Sequence, residues 1–169
     1  MRSDHALVEK VISALRARGE TVSFAESCTG GLLSSLCTVL PGVSDVYMGS
    51  VVAYSNAVKA SLLGVPVTQL RSSGAVSLPV ARSMARGVRA AIGTTWALSV
   101  TGIAGPGGGS TDKPVGTVCV GLAGPAIDKA IQVHFAGSRS VIQLASAEHA
   151  LRLLLAELST GGDESTGVA

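Results

Sequence analysis

Two periods of hydrophobic residues alternate along this chain. Leu7, Val8, Val11, Ile12 and Leu15 recur at helical spacing, and Gly19 follows them as a stop signal. Residues 21–25 read as a short buried strand. A glycine-permissive helix is expected over about 29–40, ended by Pro41 and Gly42. Residues 50–54 are β-branched and apolar and predict a strand. Ser55 and Asn56 then offer an N-cap to a short helix through Leu63, closed by Gly64. Residues 65–77 read as a loop with room for one helical turn. A longer helix is predicted over 78–92, where Met84, Val88 and Ile92 lie opposite Arg82, Arg86 and Arg89. That arginine stripe reads as a solvated face. A strand over 96–101 leads into a glycine-rich loop over 102–114. Two more strands, 115–123 and 126–135, are joined at Gly124-Pro125, and a last helix covers about 140–158. The polar, glycine-bearing tail 160–169 is expected to be disordered.

Helices and strands mostly alternate until two strands come in succession. That order predicts an α/β sandwich whose sheet is parallel in part and antiparallel towards its end. No repeat or linker divides residues 1–159, which are expected to form one domain.

Composition narrows the function. A chain of 169 residues with 47% hydrophobic content can bury a substantial core. A formal net charge of +2 makes no electrostatic case for a nucleic-acid or membrane partner. Aromatic residues, at 3%, are too few for base-stacking platforms. Cys28, Cys37 and Cys119 are odd in number and form no C-x-x-C pair. The charged N-terminus has no leader pattern, and no apolar run reaches membrane-spanning length. A reduced, cytoplasmic setting is expected. His5, His134 and His149 are scattered, so no metal site is expected. The apolar composition is compatible with a homo-oligomer, a dimer being the expected state, although no segment identifies an interface.

Four runs carry candidate chemistry. The first is Glu26-Ser27-Cys28-Thr29-Gly30-Gly31, placed where a strand ends and a helix begins. Free N–H groups and the positive end of a helix dipole meet there. A nucleophile so placed has oxyanion donors beside it. An ordinary N-cap at Ser27 or Thr29 is the competing role. The second run is Tyr54-Ser55-Asn56 with Lys59 in the first turn of the next helix. A cation there opposes the dipole, and partial burial favours the neutral amine, which can act as a general base. A surface lysine is the alternative.

The third run extends from Thr101 and Gly102 through Gly105, Gly107 and Ser110 to Lys113-Pro114-Val115-Gly116-Thr117. Its glycines allow close backbone approach and an anion nest. It is neither a P-loop nor the dinucleotide fingerprint. The fourth is Gly137-Ser138-Arg139, whose arginine could pair with a phosphate or carboxylate, or equally be a surface arginine at a helix start, where the dipole does not favour it.

Together, in order and spacing, these runs resemble the C-terminal domain of the competence/damage-inducible protein CinA, over about residues 5–158. The stand-alone bacterial form of that family is nicotinamide-nucleotide amidohydrolase, or NMN deamidase. The resemblance implies a three-layer α/β/α domain with a mixed, mostly parallel sheet. It implies hydrolysis of the carboxamide of nicotinamide mononucleotide (NMN) to nicotinate mononucleotide and ammonia, in pyridine nucleotide salvage. No metal or organic cofactor is implied. The family's catalytic serine falls on Ser27, its lysine on Lys59 and its tyrosine on Tyr54. Larger members carry an N-terminal domain with a separate pyrophosphatase-type activity, which is not expected of this segment.

In that chemistry Ser27 attacks the amide carbon, and Lys59 takes its proton directly or through Tyr54. N–H groups near 28–30 hold the oxyanion. Thr101, Gly102, Gly105 and Gly107 of the loop, with Lys113 and Arg139, are the expected phosphate contacts. Glu26, Thr29, Gly30 and Asn56 are expected to orient the substrate or support the site. Cys28 is expected to be packing. Two other functions fit the same runs: a nucleotide-binding module without catalysis, and a Ser-Lys amidase for another amide.

Overall fold

The computed structural model describes residues 2–160. The elements are α1 (Arg2–Arg18), β1 (Val22–Glu26), α2 (Leu32–Thr38), a 3-10 turn (Val43–Asp45), β2 (Tyr47–Val52) and α3 (Asn56–Leu63). They continue with α4 (Val67–Ser73), α5 (Leu78–Ile92), β3 (Trp96–Gly102), β4 (Thr117–Ala123), β5 (Asp128–His134) and α6 (Arg139–Thr160). The five strands form one sheet in the order β2-β1-β3-β4-β5. β1 pairs in parallel with β2 and with β3. β4 alone runs against the rest, pairing antiparallel with β3 and β5. The fold is α/β with a mixed sheet, as expected. Thr160 ends α6, and the rest of the expected disordered tail, 161–169, lies outside the described residues.

Alternation along the strands sorts large side chains to one face and small ones to the other. Phe24, Trp96, Leu98, Val100, Val118, Val120 and Leu122 form the core beneath α1, α2 and α6. The opposite face, covered by α3, α4 and α5, carries Ala25 and Ala97. Ser99 and Gly121 share that face, and there Ser99 Oγ donates to Ala81 O of α5 at 2.5 Å. A Cβ on Gly121 would meet that same carbonyl and the Ser99 hydroxyl, so the small residues are what allow α5 to lie close.

Caps set the helix limits. Ser77 and Ser55 accept from Val80 and Val58 at the starts of α5 and α3, and left-handed Gly93 and Gly64 close them. Three elements depart from expectation. β2 begins and ends earlier than 50–54, because its register is set by pairing Val22 with Tyr47. α2 is shorter than 29–40, because Gly30 and Gly31 take left-handed φ of 59° and 102°. Residues 67–73 form a full helix, α4. The arginine stripe is tied down as well as solvated: Arg86 and Arg82 pair with Asp128 of β5, and Arg89 donates to Thr95 O at 2.9 Å.

Candidate active site

The carboxyl ends of β1, β2 and β3 meet at one place. Ala53 N donates to Glu26 O at 2.8 Å, and Ser27 N donates to Val100 O at 2.9 Å. In the order β2-β1-β3 the chain leaves β1 towards one side and returns at β3 on the other. Ligands of open α/β sheets bind outside such a switch point.

Directly after β1 the chain turns on itself, with Gly30 N donating to Ser27 O at 3.1 Å. Neither hydroxyl of the run caps α2. Its N-cap residue is Gly31, which has no side chain to offer. The buried Glu26 carboxylate does that work. One oxygen accepts from Gly31 N and Leu33 N at 3.0 and 3.1 Å, the other from Ser34 N and Ser34 Oγ at 2.9 and 2.5 Å. An anion at a helix N-terminus is stabilised by the dipole as well as by the bonds. Glu26 therefore holds the scaffold of the site, the supporting one of the two roles open to it, and does not line the cavity as a substrate contact.

With capping assigned to Glu26, the Ser27 hydroxyl is left for Lys59. Nζ of Lys59 lies 2.9 Å from Ser27 Oγ, and it donates to Ala53 O at 2.8 Å and Tyr54 O at 3.1 Å. The lysine is 1% exposed and the serine 7%. Burial lowers the Lys59 pKa below that of an ordinary lysine. Two carbonyls fix two of its N–H bonds. The position facing Ser27 is then a third N–H in the ammonium, or the lone pair in the neutral amine. In the second state Ser27 O–H donates to Nζ, which is the geometry of a nucleophile and its general base.

A cavity of about 280 Å³ opens over this pair. Ser27, Cys28, Tyr54, Lys59, Thr101 and Arg139 line it, with Gly102, Gly105 and Gly107 of the loop. Tyr54 meets Lys59 through its backbone carbonyl. Its phenol, 63% exposed, accepts from Arg139 Nη2 at 2.9 Å, while Arg139 Nη1 donates to Gly105 O at 2.7 Å. Of the two expected proton routes, the direct one is the one these contacts provide. Thr101 Oγ1 donates to Ala75 O at 2.9 Å, which ties the loop's start to the segment before α5. A larger groove of about 390 Å³ lies at the opposite end of β3, among Trp96, Ile127 and Glu157, and brings no nucleophile and base together.

Besides Glu26, four expected contacts do not line the cavity. Lys113 Nζ donates to Ser73 O at 2.8 Å and is committed to the end of α4. Asn56 is exposed and lines a separate groove with Val67 and Leu70. Gly30 serves the turn through its own N–H. Thr29 is buried, its hydroxyl without a partner among the described residues. One contact was not anticipated: Gln143 Nε2 donates to Cys28 O at 2.8 Å, across 115 residues. No local pattern could have signalled it.

Cys28 lines the cavity beside Ser27, but burial pushes its thiol up to about 12, so it stays protonated at neutral pH. If Ser27 is the nucleophile of an ammonia-releasing reaction here, Cys28→Ala is expected to keep that turnover within an order of magnitude of wild type. Loss as complete as that of Ser27→Ala would show that the sulfur takes part in the chemistry. All three cysteines are buried and free.

Residues 4–158 match the CinA C-terminal domain. The chain belongs to that family. It is 54% identical over 144 residues to a CinA-like protein of Anaeromyxobacter sp. (strain Fw109-5), covering 85% of this chain and 35% of that protein. It is 45% identical over 152 residues to a CinA-like protein of Prochlorococcus marinus, covering 89% and 36%. The chain thus spans little more than a third of the length of the curated relatives it matches. Among solved structures, a CinA superfamily protein from Klebsiella pneumoniae superposes with a TM-score of 0.89 at 29% identity, over 93% of this chain and 98% of that one. The competence/damage inducible protein CihA from Agrobacterium tumefaciens gives 0.86 at 37% identity, over 92% and 95%. Among the described residues no helix of this CinA domain is long and apolar enough to cross a membrane.

Proposed function

We propose that this CinA domain is an amidase that hydrolyses the carboxamide of NMN to nicotinate mononucleotide and ammonia. The observation that carries the reading is the buried 2.9 Å contact between Ser27 Oγ and Lys59 Nζ, at the floor of a cavity on the switch point of the sheet. A module that only binds nucleotides has no need of a desolvated lysine facing a serine hydroxyl.

Ser27 Oγ attacks the amide carbon as its proton passes to neutral Lys59. The C–O bond forms, and the carbonyl electrons move onto the oxygen, which the N–H groups following Ser27 receive. The tetrahedral adduct collapses, the C–N bond breaks, and Lys59 returns its proton to the leaving nitrogen as ammonia departs. Water then attacks the acyl-enzyme as Lys59 takes its proton; the bond from the acyl carbon to Ser27 Oγ breaks, Lys59 returns the proton to Oγ, and the acid is released. Ala53 O and Tyr54 O keep Nζ aimed throughout.

Arg139 is the phosphate contact of this reading. Two of its five N–H donors are engaged by Gly105 O and the Tyr54 phenol, and three remain. A panel of nicotinamide, its riboside and NMN tests the assignment by kcat/KM. NMN is expected to exceed the riboside by about 10- to 100-fold, the range of one charge-assisted contact, and Arg139→Ala to erase most of that advantage. Equal use of riboside and NMN would remove the phosphate from the account. Turnover of some other amide alone would keep the dyad and replace the substrate.

A further inference from the structure

We propose that Gln143 is the positioning residue of the oxyanion hole, acting through the carbonyl of Cys28; this rests on the amidase reading of Ser27. Two consecutive peptides follow the nucleophile. The carbonyl of the first, Ser27 O, is held by Gly30 N at 3.1 Å. The carbonyl of the second, Cys28 O, is held by Gln143 Nε2 at 2.8 Å. In a planar trans peptide the C=O and N–H point in opposite directions. Fixing these two carbonyls therefore fixes the N–H groups of Cys28 and Thr29. Among the described residues neither N–H donates to a backbone carbonyl. They are the donors directly after the nucleophile, which is where an oxyanion is received in strand-to-helix serine hydrolases.

The turn cannot supply the second restraint itself. Its own hydrogen bond reaches only Ser27 O, and the Glu26 carboxylate engages α2 from Gly31 onward. Among the described residues Gln143 is the one hydrogen-bond partner of the Cys28 carbonyl, so without it the orientation of the Cys28–Thr29 peptide rests on the turn alone. Gln143 comes from a rigid support. Ile142, Ala147 and Leu151 of α6 are buried in the core, and Ser146 Oγ closes on Ile142 O at 2.6 Å. Arg139 stands one turn earlier on the same helix face. The start of α6 thereby sets both the mouth of the cavity and the peptide beside the nucleophile. Gln143 does not line the cavity, so its effect passes through the backbone and not through substrate contact.

Gln143→Met keeps length and volume and removes the donor. Its kcat for NMN is expected to fall about 10- to 100-fold, with KM within about twofold, because the oxyanion exists only in the transition state. Gln143→Glu sets an acceptor against the carbonyl and is expected to fall further; it also serves if Gln143→Met does not fold. Labelling by a fluorophosphonate gives a second readout that does not depend on the substrate. There Ser27 Oγ forms the P–O bond, the P–F bond breaks with loss of fluoride, and the hydroxyl proton passes to Lys59. Negative charge gathers on the phosphoryl oxygen, which needs the same two N–H groups. Labelling of Ser27, followed by mass, is expected to slow by a similar factor.

Variants that turn over and label within twofold of wild type overturn the positioning role and leave the amidase reading standing. So does a rise in KM with kcat unchanged. If wild type labels at Ser27 but does not hydrolyse NMN, the substrate is wrong and slower labelling of the variants still supports the positioning role. A folded wild type that is not labelled at Ser27 overturns both.

Discussion

Ser27→Ala is expected to lose at least about 10⁴-fold in kcat for NMN while remaining folded. The size follows from what stands near the carbonyl carbon. Cys28 is protonated by burial, and Thr29 has no base within hydrogen-bond reach. No neighbouring group replaces the serine, so only binding and oxyanion donors remain. The fold should tolerate the change. Among the described residues the Ser27 hydroxyl makes one side-chain hydrogen bond, to Lys59, which keeps Ala53 O and Tyr54 O as partners. Ammonia release and a thermal melt on the same preparation check both halves of the statement. A folded Ser27→Ala retaining a tenth of wild-type kcat would remove the serine as nucleophile.

Lys59→Met is expected to lose as much, and the double variant no more than either single one, since nucleophile and base act as a unit. Lys59→Arg is not expected to rescue, because a guanidinium stays charged and offers no lone pair. The same lysine sets the pH dependence. Only the neutral amine accepts the Ser27 proton, so kcat/KM should rise with pH on a single ionisation and fall away on the acid side. Burial lowers the Lys59 pKa, so the midpoint belongs below the ordinary lysine value of about 10.4. In a profile of kcat/KM against pH, a limb rising only at or above that value, or none at all, would contradict the base assignment.

Local chemistry was readable from the sequence, and long-range pairing was not. α5 over 78–92 was legible from its apolar and arginine faces, and α3 from Asn56 to Leu63 from the cap at Ser55 and the stop at Gly64, which lie within a residue of its ends. The limits of β2 follow from its register against β1, which no local pattern encodes. The site divides in the same way. Ser27 and Lys59 stand out because one follows a strand and the other opens a helix. Their 2.9 Å meeting needs three strand ends to converge. The two roles open to Glu26 could not be separated for a related reason: its partners lie five to eight residues onward, on a helix start whose position depends on the turn at Gly30 and Gly31. Lys113 was read as a phosphate ligand because cations in glycine loops often are, yet its partner Ser73 O lies 40 residues away. Gln143 carried no local signal at all, and its role arises only when α6 docks against the turn after β1.

The most direct test of the amidase account is the release of ammonia and nicotinate mononucleotide from NMN by wild type, with folded Ser27→Ala measured beside it. The account predicts equal amounts of the two products from wild type and neither from the variant. A folded wild type that binds NMN, seen as a rise in its melting temperature, and yields neither product would contradict it.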